Sequence, residues 1–193
     1  TGDLTLYAKW TAISYIIQYD LRGGVNPINA PESYTIESPD IILPIPARLG
    51  YEFSGWYDNP QLAGNAVTKI AAGSYGDKFF YASWTPIVYK ITYVTNGGMY
   101  LPSFVTSYTI ETPTFAIPST TKRGYIFSGW YSNPQYTGNP IAQITQGTTG
   151  DITLYAKWTV EVYTITYVAN NGIIPSDAPK TYTIESGGVT LPI

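Results

Sequence analysis

Gly50-Tyr51-Glu52-Phe53-Ser54-Gly55-Trp56-Tyr57-Asp58-Asn59-Pro60-Gln61 returns as Gly124-Tyr125-Ile126-Phe127-Ser128-Gly129-Trp130-Tyr131-Ser132-Asn133-Pro134-Gln135, 74 positions later. Self-similarity at a fixed period is the signature of a repeat architecture. The period extends outward from this stretch. Trp10, Trp84 and Trp158 share it, as do Tyr34, Tyr108 and Tyr182, each opening Tyr-Thr-Ile-Glu. Gly2-Asp3, Gly76-Asp77 and Gly150-Asp151 fall in the same register, and so do Pro44, Pro118 and Pro192. Residues 13–86 align with 87–160 without a gap and share 33 of 74 positions. Four pieces result: the C-terminal strand of a truncated repeat at 1–12, complete repeats at 13–86 and 87–160, and the N-terminal part of a truncated repeat at 161–193. With no initiator Met and a last residue inside a repeat, the sequence is expected to be a piece of a longer array.

Strand signals dominate. Leu4, Leu6, Ala8 and Trp10 alternate with Thr5, Tyr7 and Lys9, the period-two pattern of a strand with one buried face. Its copies are Phe80–Trp84 and Leu154–Trp158. A second alternating run, Tyr15, Ile17 and Tyr19, recurs as Tyr89, Ile91 and Tyr93, then Tyr163, Ile165 and Tyr167. Gly23-Gly24, Gly97-Gly98 and Asn171-Gly172 follow as turns. Residues 25–32 share nothing with 99–106, which predicts a surface loop. Tyr34-Thr35-Ile36-Glu37 resumes a β-rich run. Ile41-Ile42-Leu43-Pro44 reads as a short strand closed by proline at an edge or end.

In the opening stretch, strict alternation would place Tyr51, Phe53, Gly55 and Tyr57 on one side and Trp56 on the other. Gly55 inside a strand marks a bulge or a close backbone approach. The only helix candidate is Pro60–Gly73. Its second copy carries Gly138 and Pro140, and interior proline costs ~3 kcal/mol, so one helical turn is the most expected. The prediction is a mostly β domain of four or five strands, repeated. The boundary at Trp84-Thr85-Pro86 carries no Gly/Ser linker, which predicts units held close, as in a semi-stiff rod.

Composition narrows the function. The net charge of −3 and the scattered ten Lys and Arg give no basic stripe of the kind nucleic acid requires. No apolar run approaches the ~18 residues of a membrane-spanning helix. With no Cys and no His, thiol nucleophiles, Ser-His-Asp triads, Cys/His zinc sites and disulfide frameworks are excluded. Charged residues make up 12% and tyrosine fills the gap with 19 copies. Burial of aromatic rings must therefore supply each small core, at roughly 150–250 Å² per ring.

The series Tyr-Thr-Ile-Glu, Gly-Tyr-x-Phe-Ser-Gly-Trp-Tyr-x-Asn and Gly-Asp-x-x-Leu/Phe-Tyr-Ala-x-Trp resembles the Listeria–Bacteroides repeat, the B-repeat of internalin-type surface proteins. The match covers both complete units and both partial ones. The resemblance implies a bacterial surface or secreted protein, often wall-anchored and adhesive, built of compact β units related to the β-grasp. It brings no catalytic residues with it.

Among acids, only Glu37/Glu111/Glu185 and Asp3/Asp77/Asp151 recur in every copy. A glycosidase needs two carboxylates at a fixed separation, and these are expected to be structural instead. The acids do not cluster at calcium-ligand spacing, so no cofactor and no metal site is expected. Trp56-Tyr57 and Trp130-Tyr131 are adjacent, so one ring of each pair could face outward as a sugar platform. The expectation is burial of both, one against the core and one under residues 60–73. The functional expectation is a non-catalytic extracellular array acting as stalk or spacer, with host or neighbouring surface proteins or glycans as partners. The alternative is a carbohydrate-binding array attached to a secreted enzyme.

Overall fold

The computed structural model describes residues 2–192 and divides into two compact units, Thr1–Ile87 and Val88–Ile193. The first contains β1 (Ser14–Asp20), β2 (Ser33–Thr35), β3 (Ile41–Ile42), β4 (Tyr51–Tyr57), β5 (Lys69–Ile70) and β6 (Lys78–Pro86). Four of these form one sheet in the order β2-β1-β6-β4. The alternating apolar runs read from the sequence occupy its centre: β1 and β6 lie side by side in parallel, with Ile17 opposite Lys78 and Tyr19 opposite Phe80. Antiparallel β2 and β4 flank them. A separate ribbon pairs β3 with β5. The core gathers Ile17, Tyr34, Leu43, Trp56, Ile70, Phe80 and Ala82, with Phe53 and Trp84 packed against them.

The second unit contains β7 (Tyr89–Val94), β8 (Ser107–Tyr108), β9 (Phe115–Ala116), β10 (Tyr125–Tyr131), β11 (Gln143–Ile144), β12 (Ile152–Val160), β13 (Tyr163–Thr164) and β14 (Thr181–Tyr182). Its main sheet has the order β10-β12-β7-β8, again with a parallel central pair, Ile91 opposite Ile152. The mostly β class is as expected. No helix occurs among the described residues, so the β-grasp label, which calls for a helix across the sheet, is not carried over. At 60–73 the Asn59 side chain closes a tight loop instead: its Oδ1 accepts the Ala63 N–H at 3.0 Å and its Nδ2 donates to the Ala63 carbonyl at 2.9 Å. Leu62 takes positive φ, as does its counterpart Tyr136, which a continuing helix forbids. Val67 then pairs with Trp56 through a backbone bond of 2.7 Å.

Four sequence expectations are corrected. Strict alternation in β4 fails because the register slips between Phe53 and Gly55. One extra residue there turns Phe53 and Trp56 to the same face, with ring centroids 5.3 Å apart. Gly55 (φ 129°) permits this, and a methyl on it would stand 2.8 Å from the Ala66 Cβ. The bulge recurs between Phe127 and Gly129.

The variable loop is not merely surface in the second unit. Phe104 is buried and stacks on Tyr93 at 4.3 Å and 23°. Ala30 holds the corresponding place in the first unit, so only one of the two cores receives that ring.

Residues 4–10 form no strand. Leu4, Leu6 and Trp10 are more than 80% exposed. The strands flanking β6 and β12 come from upstream in their own repeat, and residues 4–10 pair with none. A strand without a partner leaves its backbone groups to water. Glu37, finally, sits in a turn after β2, where its N–H donates to Thr35 Oγ1 at 3.3 Å.

Residues 161–192 lie against the body of the second unit. The Glu161 N–H donates to the Gly124 carbonyl at 2.9 Å, and the Tyr125 hydroxyl donates to Glu185 Oε1 at 2.8 Å. Ile184 packs directly on Gly124.

Candidate functional site

Most of the residues singled out as candidates make contacts within the core or the sheet. Trp56 and Trp130 are each 2% exposed. Their indole N–H groups donate to the carbonyls of Pro44 at 2.6 Å and Pro118 at 2.8 Å. A buried indole needs such a partner, and the recurring proline carbonyl supplies it. Tyr131 is buried, with Tyr136 edge-on at 5.7 Å and the Lys157 ammonium over its ring at 5.2 Å. Tyr57 is half-buried. Neither tryptophan is available to stack on a sugar.

The recurring aspartates hold the sheet. Asp77 Oδ1 accepts the Ile16 N–H at 2.9 Å, and Asp151 Oδ1 accepts the Lys90 N–H at 2.8 Å. Each lengthens the parallel central pairing by one bond that the opposite strand does not supply. Replacing Asp151 by Ala is expected to cost the second unit about 1 kcal/mol, measured by urea unfolding. Asp151→Asn, which keeps an acceptor, should lose less; equal losses would argue against this role. Glu185 accepts the Tyr125 hydroxyl, while Asp3 is exposed.

The tyrosines serve as polar-tipped core residues rather than as acids or bases. Tyr34 and Tyr108 donate to the carbonyls of Gly76 and Gly150, both at 2.5 Å. Tyr19 and Tyr93 donate to those of Pro31 and Val105. Burial pushes the Tyr19 phenol up to about 12 and raises Tyr34, Tyr93 and Tyr108 as well. At Asp40 the Lys69 ammonium, 2.6 Å away, holds the carboxyl below its ordinary value, assisted by the Ala72 N–H. That pair clasps the β3–β5 ribbon on an exposed surface. Among the described residues, no three of His, Cys, Asp and Glu come together as a metal site.

Sequence reasoning missed an open cleft of about 640 Å³ in residues 161–192, lined by Ile165, Tyr182, Ile184, Val189 and Leu191. The signal was present: Gly172 falls at the register of Gly24 and Gly98, the glycines that face Trp84 and Trp158.

A helix-free sheet unit that recurs at a fixed period, with its recurrent Trp and Tyr rings in its own core, defines a β repeat module. The model of the Listeria-Bacteroides repeat domain matches residues 15–83 and again 89–157. The chain belongs to this family. It is 33% identical over 174 residues to a protein of Evansella cellulosilytica provisionally named a Gly-rich membrane protein; the match covers 88% of this chain and 19% of that protein. A second protein of that organism, provisionally named a membrane protein, is 29% identical over 93% of this chain and 26% of its own length. Internalin H of Listeria monocytogenes is 29% identical over 76% of this chain and 25% of its own. The chain thus spans about a fifth to a quarter of the relatives it matches. No solved structure gives a significant match. No helix among the described residues is long and apolar enough to cross a membrane.

Proposed function

We propose that the chain is a non-catalytic, load-bearing spacer of an extracellular bacterial surface protein, holding a distal region away from the cell and adding weak adhesive contacts to host or neighbouring surfaces. The observation that carries this reading is the parallel pairing of the first and last strands of each complete repeat, β1 with β6 and β7 with β12. Tension applied through the two chain ends of such a unit pulls the start of one strand against the finish of the other. The ladder then slides in shear, so its hydrogen bonds are loaded together rather than peeled singly. The family membership and the membrane-protein and internalin names of the relatives support a surface location. The consumption of the recurrent Asp, Tyr and Trp side chains by the sheet supports a non-catalytic role.

Stretching single tethered molecules tests it. Two unfolding events are expected, each releasing a contour of roughly 240 Å, the extended length of one repeat less its folded span. Units that yield without measurable resistance would defeat the spacer reading.

A further inference from the structure

The strands of the second unit's main sheet carry charge of one sign. β7, β8, β10 and β12 contain no Asp or Glu, and their two charged residues are Lys90 and Lys157. The corresponding strands of the first unit hold Asp20 and Glu52 beside Lys78. A local excess of cation on a chain of net charge −3 favours an anion from outside.

Lys157 points away from the core. Leu154, Ala156 and Trp130 are buried in it, so alternation turns Tyr155 and Lys157 to the outer face of the sheet. Tyr131, opposite Tyr155 in the ladder, lies on that face too. The Lys157 ammonium stands 5.2 Å from the Tyr131 ring centroid and 5.8 Å from that of Tyr136. The ion pairs among the described residues join Arg22 to Asp20 and Lys69 to Asp40, so Lys157 is half-buried without a carboxylate. The acids flanking β12 are engaged elsewhere: Asp151 accepts the Lys90 N–H and Glu161 the Tyr163 hydroxyl. The two tyrosine rings offset part of the cation's desolvation and leave its hydrogen-bonding capacity to a ligand.

Two turns bring polar groups to the same place. Asn96 follows β7 in a turn closed by the Gly98 N–H on the Thr95 carbonyl at 3.0 Å, and its φ of 50° is one that asparagine tolerates. Its Nδ2 donates to the Ala156 carbonyl at 2.8 Å and to the Tyr136 hydroxyl at 3.0 Å. The Tyr136 hydroxyl keeps its own proton to donate, and Asn96 Oδ1 keeps its lone pairs. Tyr136 has φ 56°, as Leu62 does, so the loop backbone is common to both units and the side chain on it is not. The first unit sets Arg22, Leu62 and Ser83 at the positions of Asn96, Tyr136 and Lys157. Arg22 donates to the Pro60 carbonyl and lies 3.9 Å from Asp20, so its charge is already answered.

We propose that this face of the second unit binds an acidic polysaccharide, a chain of uronic acid residues. The carboxylate of one sugar accepts from Lys157. Its hydroxyls meet the Tyr136 hydroxyl and Asn96 Oδ1, and its ring packs on Tyr155. One cation among tyrosine rings and neutral polar groups matches a ligand with one charge and several hydroxyls per residue. An acidic peptide would need a cation for each of its side chains. The site gives a chemistry to the adhesive contacts of the spacer and rests on that reading for a surface that meets glycans.

NMR titration of the 193-residue chain with a galacturonic acid oligomer tests this. Saturable shifts are expected at Asn96, Tyr131, Tyr136, Tyr155 and Lys157, with the first unit's signals unmoved as an internal reference. Lys157→Ser and Tyr136→Leu install the residues that the first unit itself carries, so both variants are expected to fold. Lys157→Ser should weaken binding at least about tenfold, the worth of one hydrogen bond to a charged group, and Tyr136→Leu about fivefold, that of a neutral one. Lys157→Arg, which keeps the charge, should retain binding, and the methyl-esterified oligomer, which has lost its own, should lose it. Absence of saturable shifts at these residues would overturn the proposal. So would undiminished binding by Lys157→Ser, or a polyglutamate peptide that binds there as tightly as the sugar. A chain that resists stretching yet ignores the oligomer loses this site and keeps its role as a spacer.

Discussion

Replacing Trp130 by alanine is expected to unfold the second unit. The indole touches Tyr93, Phe104 and Phe127 at centroid distances of 5.2, 5.7 and 5.4 Å. Truncating a buried Trp costs about 3–5 kcal/mol, and here the Pro118 carbonyl also loses its donor. A repeat of this size has a total stability of roughly 4–11 kcal/mol at 0.05–0.15 kcal/mol per residue. The loss is therefore comparable to everything the unit has. The first unit, whose core cluster shares none of these residues, should keep its own dispersed NMR signals. Retention of a folded second unit with an unchanged melting temperature would show that the core is not organised around this ring.

Gly129→Ala should cost about 2–4 kcal/mol, by adding left-handed backbone strain to an overpacked contact. The residue has φ 114°, and a Cβ built on it stands 2.7 Å from the Pro140 Cβ. Pro140 is tied back by the neighbouring Ile141, whose N–H donates to the Trp130 carbonyl at 2.7 Å, so it cannot retreat without releasing the strand edge. Ser128→Ala is the control. It lies in the same bulge but loses only a partly solvated hydroxyl contact to Thr159 at 2.7 Å, so about 1 kcal/mol or less is expected. Chemical denaturation of the two variants side by side decides. Equal effects would mean that the bulge does not depend on glycine.

The repeat and its strand-rich character were legible because the period needs no gap and the runs 15–19 and 80–84 alternate cleanly. The face assignment around Trp56 was not, because a bulge adds one residue and inverts every inference drawn from strict alternation. Gly55 flagged the place without giving the direction of the shift. Phe104 was hidden by its neighbourhood: a segment that differs between copies reads as solvent-exposed, yet here the difference places a ring inside one core and none in the other. Residues 4–10 carry a strand pattern in full, but pattern supplies only one side of a ladder. The aromatic candidates at 56 and 130 were correctly expected to be buried. The aspartates at 77 and 151 were flagged by their recurrence, but their bonds to Ile16 and Lys90 join residues 61 positions apart, beyond the reach of any local pattern.

The exchange of Ala30 for Phe104 makes the two copies a mismatched pair. Links forged to one plan but of different strength fail in sequence, the weaker giving slack before the stronger is strained. On the spacer reading proposed above, the first unit is expected to act as a fuse, capping the pull and sparing its neighbour until the extra length is spent.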